Sequence, residues 1–214
     1  MKVNSMSAKA WLLSAALMAL GLAIALAGIG LKFYANMRDA IDLSQMFICM
    51  LAVVLFSFAY GAVRHSLAAG ATLGLIALHD QLLTLALVSL VSILVPQSQN
   101  LPYMVVLAVV FTYCQSLPVL RAAIELRAST PLRDMDHAQV AAQAVSQTAK
   151  LRLYGTIIAL LLLAAGFISG NGLLAAFLAP LLIALLVSVF SARFILPSLW
   201  VAMTTRLTHN KTKR

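Results

Sequence analysis

The stretch LAAGATLGLIALHDQLLTLALVSLVSILV, residues 67–95, decides how the chain is read. A bilayer is crossed by about 20 predominantly apolar residues in a helix, and this run is longer. Yet His79 and Asp80 stand side by side near its middle, and the run holds no other charge. An ionisable side chain at membrane depth costs ~2.5–3.5 kcal/mol on insertion scales, so such groups face protein partners or water and not lipid.

The rest of the chain has the same character. Of 214 residues, 63% are hydrophobic and 10% are charged, and the mean hydropathy is +0.99. So few charges cannot cover the apolar surface of a soluble domain of this length, and an all-α integral membrane protein is expected. Six apolar segments are read, at about 10–31, 46–63, 67–95, 103–120, 153–168 and 173–199. They make a membrane domain over 10–200, between an N-terminus at 1–9 and a basic tail at 201–214. Ala25-Leu26-Ala27 has the form of a signal-peptide cleavage site. The apolar stretch there is about 20 residues, against the 7–15 of a signal sequence, which favours an uncleaved anchor.

The net charge of +9 follows the gaps between segments. Lys2 and Lys9 precede the first segment, Arg64 follows the second, and Arg121, Arg127, Arg133, Lys150 and Arg152 lie in the loop at 121–152. Arg206, Lys211, Lys213 and Arg214 lie in the tail, whereas the gaps PQSQNL and SGNG have no basic residue. In the first outer gap Asp39 and Asp42 offset Lys32 and Arg38. This alternation predicts that both termini are cytoplasmic, which six spans also require. Basic and aromatic residues do not interleave as base stacking demands, so a nucleic-acid partner is not expected.

Within the loop, Pro131 suits a first helical position after Ser129 or Thr130 as cap. Ala141, Ala144, Val145, Thr148 and Leu151 or Arg152 follow helical spacing, so the loop reads as an amphipathic helix on the membrane surface running into the fifth segment, or as a plain solvated connector.

Few residues carry candidate chemistry. Cys49 and Cys114 read as small buried hydrophobes, and neither a disulfide framework nor a zinc site is indicated. No Ser/His/Asp or Cys/His grouping, HExxH motif or paired glutamates occur, so neither an enzyme nor a cofactor or metal is expected. His65 and His137 read as solvated loop histidines, Asp134 and Asp136 as a solvated helix face, and Arg193 as a side chain that snorkels to the cytoplasmic surface. In the fourth segment, TYCQS (112–116) with Pro118 reads as a helix packed against protein, kinked by the proline.

Asp80 is the one acid inside an apolar segment. It shares a helical stripe with Thr72, Ile76 and Thr84, while His79 lies about 100° away. Thr84 or Gln81 is placed to bond the carboxyl, or the carboxyl is protonated. Three readings stay open: a proton- or ion-coupling site, a hydrogen-bonded pin between helices, or, if the span begins near Leu78, a pair at the cytoplasmic interface.

The order of these features resembles the membrane core of SecF, one half of the SecDF protein-export complex and a relative of the RND transporters. The likeness rests on LHDQLLTLAL (78–87), TYCQSLPVLRAAIELR (112–127), STP (129–131) with AVSQTAKLRLYGT (144–156), and SVFSARFILPSLW (188–200). It covers about 67–200 and departs from the family in several places. The large extracytoplasmic domain between the first two helices is missing, and the fourth helix has Ser116 and Leu117 where the family has Asn-Asp. The resemblance implies a bacterial plasma-membrane protein working with a SecD-like subunit beside a SecYEG-type channel. It implies Asp80, His79, Thr84 and Arg152 as coupling residues, Arg152 matching the family's connector arginine after a one-residue shift. Glu125, Arg127, Arg133 and Lys150 would then dock the partner. A non-transporting scaffold and an independent small-solute or ion transporter are the alternatives.

Overall fold

The computed structural model describes residues 2–26, 43–92, 108–129, 135–170 and 172–212, and these contain helices and no strand. The helices are α1 (Lys2–Leu26), α2 (Leu43–Arg64), α3 (Leu67–Ser92), α4 (Val109–Ala128), α5 (His137–Gln147), α6 (Ala149–Ile168), α7 (Gly172–Phe194) and α8 (Leu196–Thr212). Helix is the local answer to this composition, because it satisfies each backbone group inside its own segment without water.

Among the described residues, three helices are long and apolar enough to cross a membrane: Phe47–Arg64, Leu67–Val91 and Ala149–Ile168. A fourth span is available if the pair Leu178–Phe194 and Leu196–Leu207, bent by 48°, counts as one. The sixth expected segment is therefore two helices. Pro197, second in α8, explains the break, since it lacks an N–H and its ring displaces the carbonyl four residues back. In α1 the apolar run Ala8–Ala23 is shorter. In α4, Gln115, Ser116, Arg121, Glu125 and Arg127 interrupt the apolar run. The segment ends at 27–31, 93–95 and 103–107, the gaps at 32–42 and 96–102, and the expected helix start at Thr130 and Pro131 lie outside the described residues.

Helix α3 is the hub and packs against α1, α2, α4, α7 and α8. Of its apolar window 67% is buried, against 17% for α2 and 11% for α6, so α3 alone of the three long apolar helices is enclosed by protein. Small residues permit the close approach. A Cβ added at Gly70 would stand 2.5 Å from the Phe58 carbonyl oxygen, and one at Gly21 of α1 would stand 2.4 Å from that of Ala86. Helices surrounded by hydrocarbon gain little from apolar burial as such and associate through contacts of this kind. A second layer of core joins Leu73 and Ile76 of α3, Val119 and Leu120 of α4, Val140 of α5 and Trp200 of α8.

The outer surface is apolar. Leu51, Leu55, Phe56, Leu161, Leu162 and Leu186 are each more than half exposed, far beyond the scattered apolar residues of a soluble surface. Cys49 and Cys114 belong to that surface and are exposed, which corrects the expectation that they are buried. When both the inside and the outside of a helix are apolar, composition does not distinguish the two faces. The amphipathic α5 also differs from expectation. Its buried residues Val140, Ala141 and Ala144 are covered by α4 and α8, so this face is occupied by protein. It does run into α6, as expected, with the Arg152 N–H bonded to the Thr148 carbonyl at 3.0 Å.

Candidate functional site

His79 and Asp80 are the thirteenth and fourteenth of the 26 residues of α3. The helix is continuous from Leu67, so the pair stands about 19 Å along it at 1.5 Å per residue. Both side chains are buried, His79 at 6% exposure and Asp80 at 2%.

The two side chains point to different neighbours because consecutive helical residues diverge by about 100°. His79 turns toward α1 and α7. Its Nε2 is 2.5 Å from Ser14 Oγ, and its Nδ1 is 3.0 Å from Asp80 Oδ1 and 3.3 Å from Ser191 Oγ. Trp11 meets the imidazole edge-on, with ring centroids 5.6 Å apart, and its own Nε1–H donates to Ser198 Oγ at 2.9 Å. In the Nδ1–H tautomer the ring donates to Asp80 and accepts from the Ser14 hydroxyl, so both nitrogens are used. Asp80 turns toward α4, where the Thr112 hydroxyl donates to Oδ2 at 2.8 Å. One ionisable pair on α3 thus ties together α1, α4 and α7.

The expected partners of the carboxyl are corrected here. Neither Thr84 nor Gln81 bonds it; Thr84 Oγ1 and both amide atoms of Gln81 are buried with no partner among the described residues. Neither side chain reaches the carboxyl along α3, whereas α4 presents Thr112 directly. Gln115 Oε1 and Ser116 Oγ are likewise buried and unpartnered, although the Gln115 amide nitrogen donates to Thr156 Oγ1 of α6 at 2.9 Å. An unpartnered buried polar group costs about 1–3 kcal/mol, so these atoms mark the place where the interior is incompletely matched. Sequence reasoning singled out TYCQS but did not connect Thr112 to Asp80, because that contact spans 32 residues.

Arg152 lies elsewhere. Its guanidinium donates to the Val145 carbonyl at 3.3 Å, at the joint between α5 and α6, and its Nε is buried without a partner among the described residues. The one ion pair found among the described residues is His79–Asp80, so the structure does not bring Arg152 to the carboxyl. Of the expected docking residues, Glu125 and Lys150 are exposed, and Arg133 lies outside the described residues. Arg127 is half-buried and donates to the Met135 carbonyl at 2.8 Å, which anchors the connector to α4.

The loop histidines are half-buried and not simply solvated. Burial lowers the pKa of His65, with Arg64 and Arg121 adding to the effect. Burial, then Arg127, lowers that of His137, with Asp136 opposing, and its ring meets Trp200 edge-on at 5.9 Å. Among the described residues no three His, Cys, Asp or Glu side chains converge as a metal site would require.

Over the described residues, fold and site together define an all-helical protein with three or four helices able to span a membrane and one buried ionisable pair at its hub. No family model, curated protein or solved structure matches the chain.

Proposed function

We propose that this chain is a six-span protein of the bacterial plasma membrane with both termini cytoplasmic, acting as a SecF-like subunit of protein export with Asp80 as its protonatable centre. The observation that carries the coupling is the position of Asp80. It sits at the middle of the most enclosed apolar helix and is held by groups from three others, directly or through His79. A change of proton at that point alters the bonds that join α3 to α4 and, through His79, to α1 and α7, which is how one proton moves several helices. The export setting rests on the four stretches that resemble SecF. It implies a SecD-like subunit packed on the apolar outer face and a SecYEG-type channel nearby. Neither catalytic chemistry nor a cofactor is part of this reading.

The scaffold alternative is favoured by one observation: the atoms of the pair are already engaged in bonds that pin helices together, which a purely structural role also needs. Protein export driven by proton-motive force, measured in cells with Asp80→Asn, separates the two. Coupling requires that Asp80→Asn reduce export as severely as loss of the whole protein. If export stays at the wild-type level while loss of the protein impairs it, the pair is a pin. Failure of the chain to co-purify with a SecD-like protein removes the export setting, and cysteine labelling of the tails from opposite faces removes the six-span topology.

A further inference from the structure

Besides His79 and Asp80, the described residues enclose one other charged side chain, Arg152, at 8% exposure. A guanidinium carries five N–H donors and stays charged. Among the described residues this one makes a single side-chain hydrogen bond, to the Val145 carbonyl at 3.3 Å, and its Nε is buried with no partner. No carboxylate answers it there, since the one ion pair among those residues is His79–Asp80. The charge that acts on it is a second cation, Arg193 of α7. A buried charge is strongly disfavoured unless a counter-ion pairs with it, and here the neighbouring charge repels.

The register of α6 against α7 brings the two arginines together. The helices are packed neighbours, and a Cβ added at Gly166 of α6 would stand 2.4 Å from Leu178 Cδ1 of α7. Fourteen residues back along α6 from Gly166 is Arg152, and fourteen on along α7 from Leu178 is Ala192, next to Arg193. At 1.5 Å per residue both paths cover about 21 Å, so the two side chains stand at one level. That level is the end of both helices: Arg152 is in the first turn of α6 and Arg193 in the last turn of α7. Headgroup phosphates lie there when apolar helices of this length cross a bilayer. Arg193 is exposed, with its guanidinium 5.6 Å from the centre of the Phe194 ring, and has no carboxylate partner among the described residues. Beside Arg152 the outer face of α6 is open and apolar. Leu151, Ile158 and Leu162 are each more than half exposed, and nothing lies within 4 Å of a Cβ added at Gly155. These four share one helical stripe.

We infer that Arg152 and Arg193 form a site for a phosphate group, supplied by the headgroup of an anionic phospholipid whose acyl chain lies along Leu151, Gly155, Ile158 and Leu162. Guanidinium groups suit phosphate because each offers paired N–H donors to its oxygens. The phosphate supplies the counter-charge that Arg152 lacks, and the apolar stripe favours a lipid over free phosphate. Basic pockets between spanning helices bind anionic headgroups in this way. The site rests on α6 and α7 crossing a bilayer, and neither on Asp80 nor on the export setting.

Native mass spectrometry of the full chain, released from detergent micelles and titrated with single lipids, tests this. Phosphatidylglycerol is expected to bind about tenfold more tightly than phosphatidylcholine of the same acyl chains, whose choline cation opposes the arginines. That preference should vanish in Arg152→Gln and in Arg193→Gln and persist in Arg64→Gln, which removes an exposed arginine at the end of α2. Because Arg193 is exposed, its variant decides the matter even where Arg152→Gln does not fold. Millimolar inorganic phosphate should leave the bound phosphatidylglycerol in place. Equal binding of the two lipids overturns the site, as does a preference that Arg193→Gln keeps or that Arg64→Gln equally abolishes. Displacement by inorganic phosphate overturns the lipid as the source of the phosphate.

Discussion

Gly70→Ala, compared with Gly155→Ala, tests whether the bundle is held by close helix approach. In an exposed helix interior, alanine is favoured over glycine by about 0.8–1 kcal/mol. At Gly155, on α6, nothing lies within 4 Å of an added Cβ, so that gain is expected in full. At Gly70 the added Cβ meets the Phe58 carbonyl oxygen at 2.5 Å, the Ala62 nitrogen at 2.7 Å and the Ala62 Cβ at 2.8 Å. None of these atoms is the far end of a side chain that can swing away, so α2 and α3 must separate. Overpacking of this kind costs about 1–3 kcal/mol, which exceeds the propensity gain and makes the net effect about 0–2 kcal/mol destabilising. The two variants should therefore differ by about 1–3 kcal/mol in opposite directions, read from reversible unfolding in mixed detergent–SDS micelles. Gly70→Ala as stable as Gly155→Ala would falsify the packing of α2 on α3, and with it the enclosure of Asp80.

Three further outcomes are expected. Thr112→Val leaves Asp80 Oδ2 buried without its 2.8 Å donor and should cost about 1–2 kcal/mol in the same unfolding assay; no change there would mean that α4 does not hold the carboxyl. His137 has its folded pKa below the usual value of 6.5, so the unfolded chain takes up the proton first as pH falls. Stability from this group is then complete above about pH 6.5 and declines below it until the folded form also titrates; His137→Gln should flatten that part of the melting-temperature profile, and an unchanged slope would argue against it. Cys49 and Cys114, exposed on an apolar outer surface, should resist a charged maleimide in bilayers and react once the protein is dissolved in SDS; prompt labelling in bilayers would place them in water.

Part of the architecture is legible in the sequence. The apolar run at 67–95 became one unbroken helix over its described part, and the segment at 153–168 falls within α6, because length and hydropathy are local properties. The segment at 173–199 was less legible: the apolar pattern continues through Pro197, but the backbone there does not. The side on which each cysteine lies was not legible either, since inner and outer helix faces share one composition.

Asp80 could be singled out from sequence because a lone carboxylate in a hydrocarbon-compatible run is anomalous wherever it falls. Its partners could not. Ser14, Thr112 and Ser191 are separated from the pair by tens of residues, and each is an ordinary hydroxyl that acquires meaning only from the helix facing it. Sequence by itself determined that apolar helices form and that one of them carries a charge pair, because backbone satisfaction and hydropathy act within a segment. Which helix lies at the centre and which hydroxyl bonds which nitrogen or oxygen were decided only by packing, because hydrogen bonds and glycine contacts between helices act over a few ångströms between segments distant in the chain.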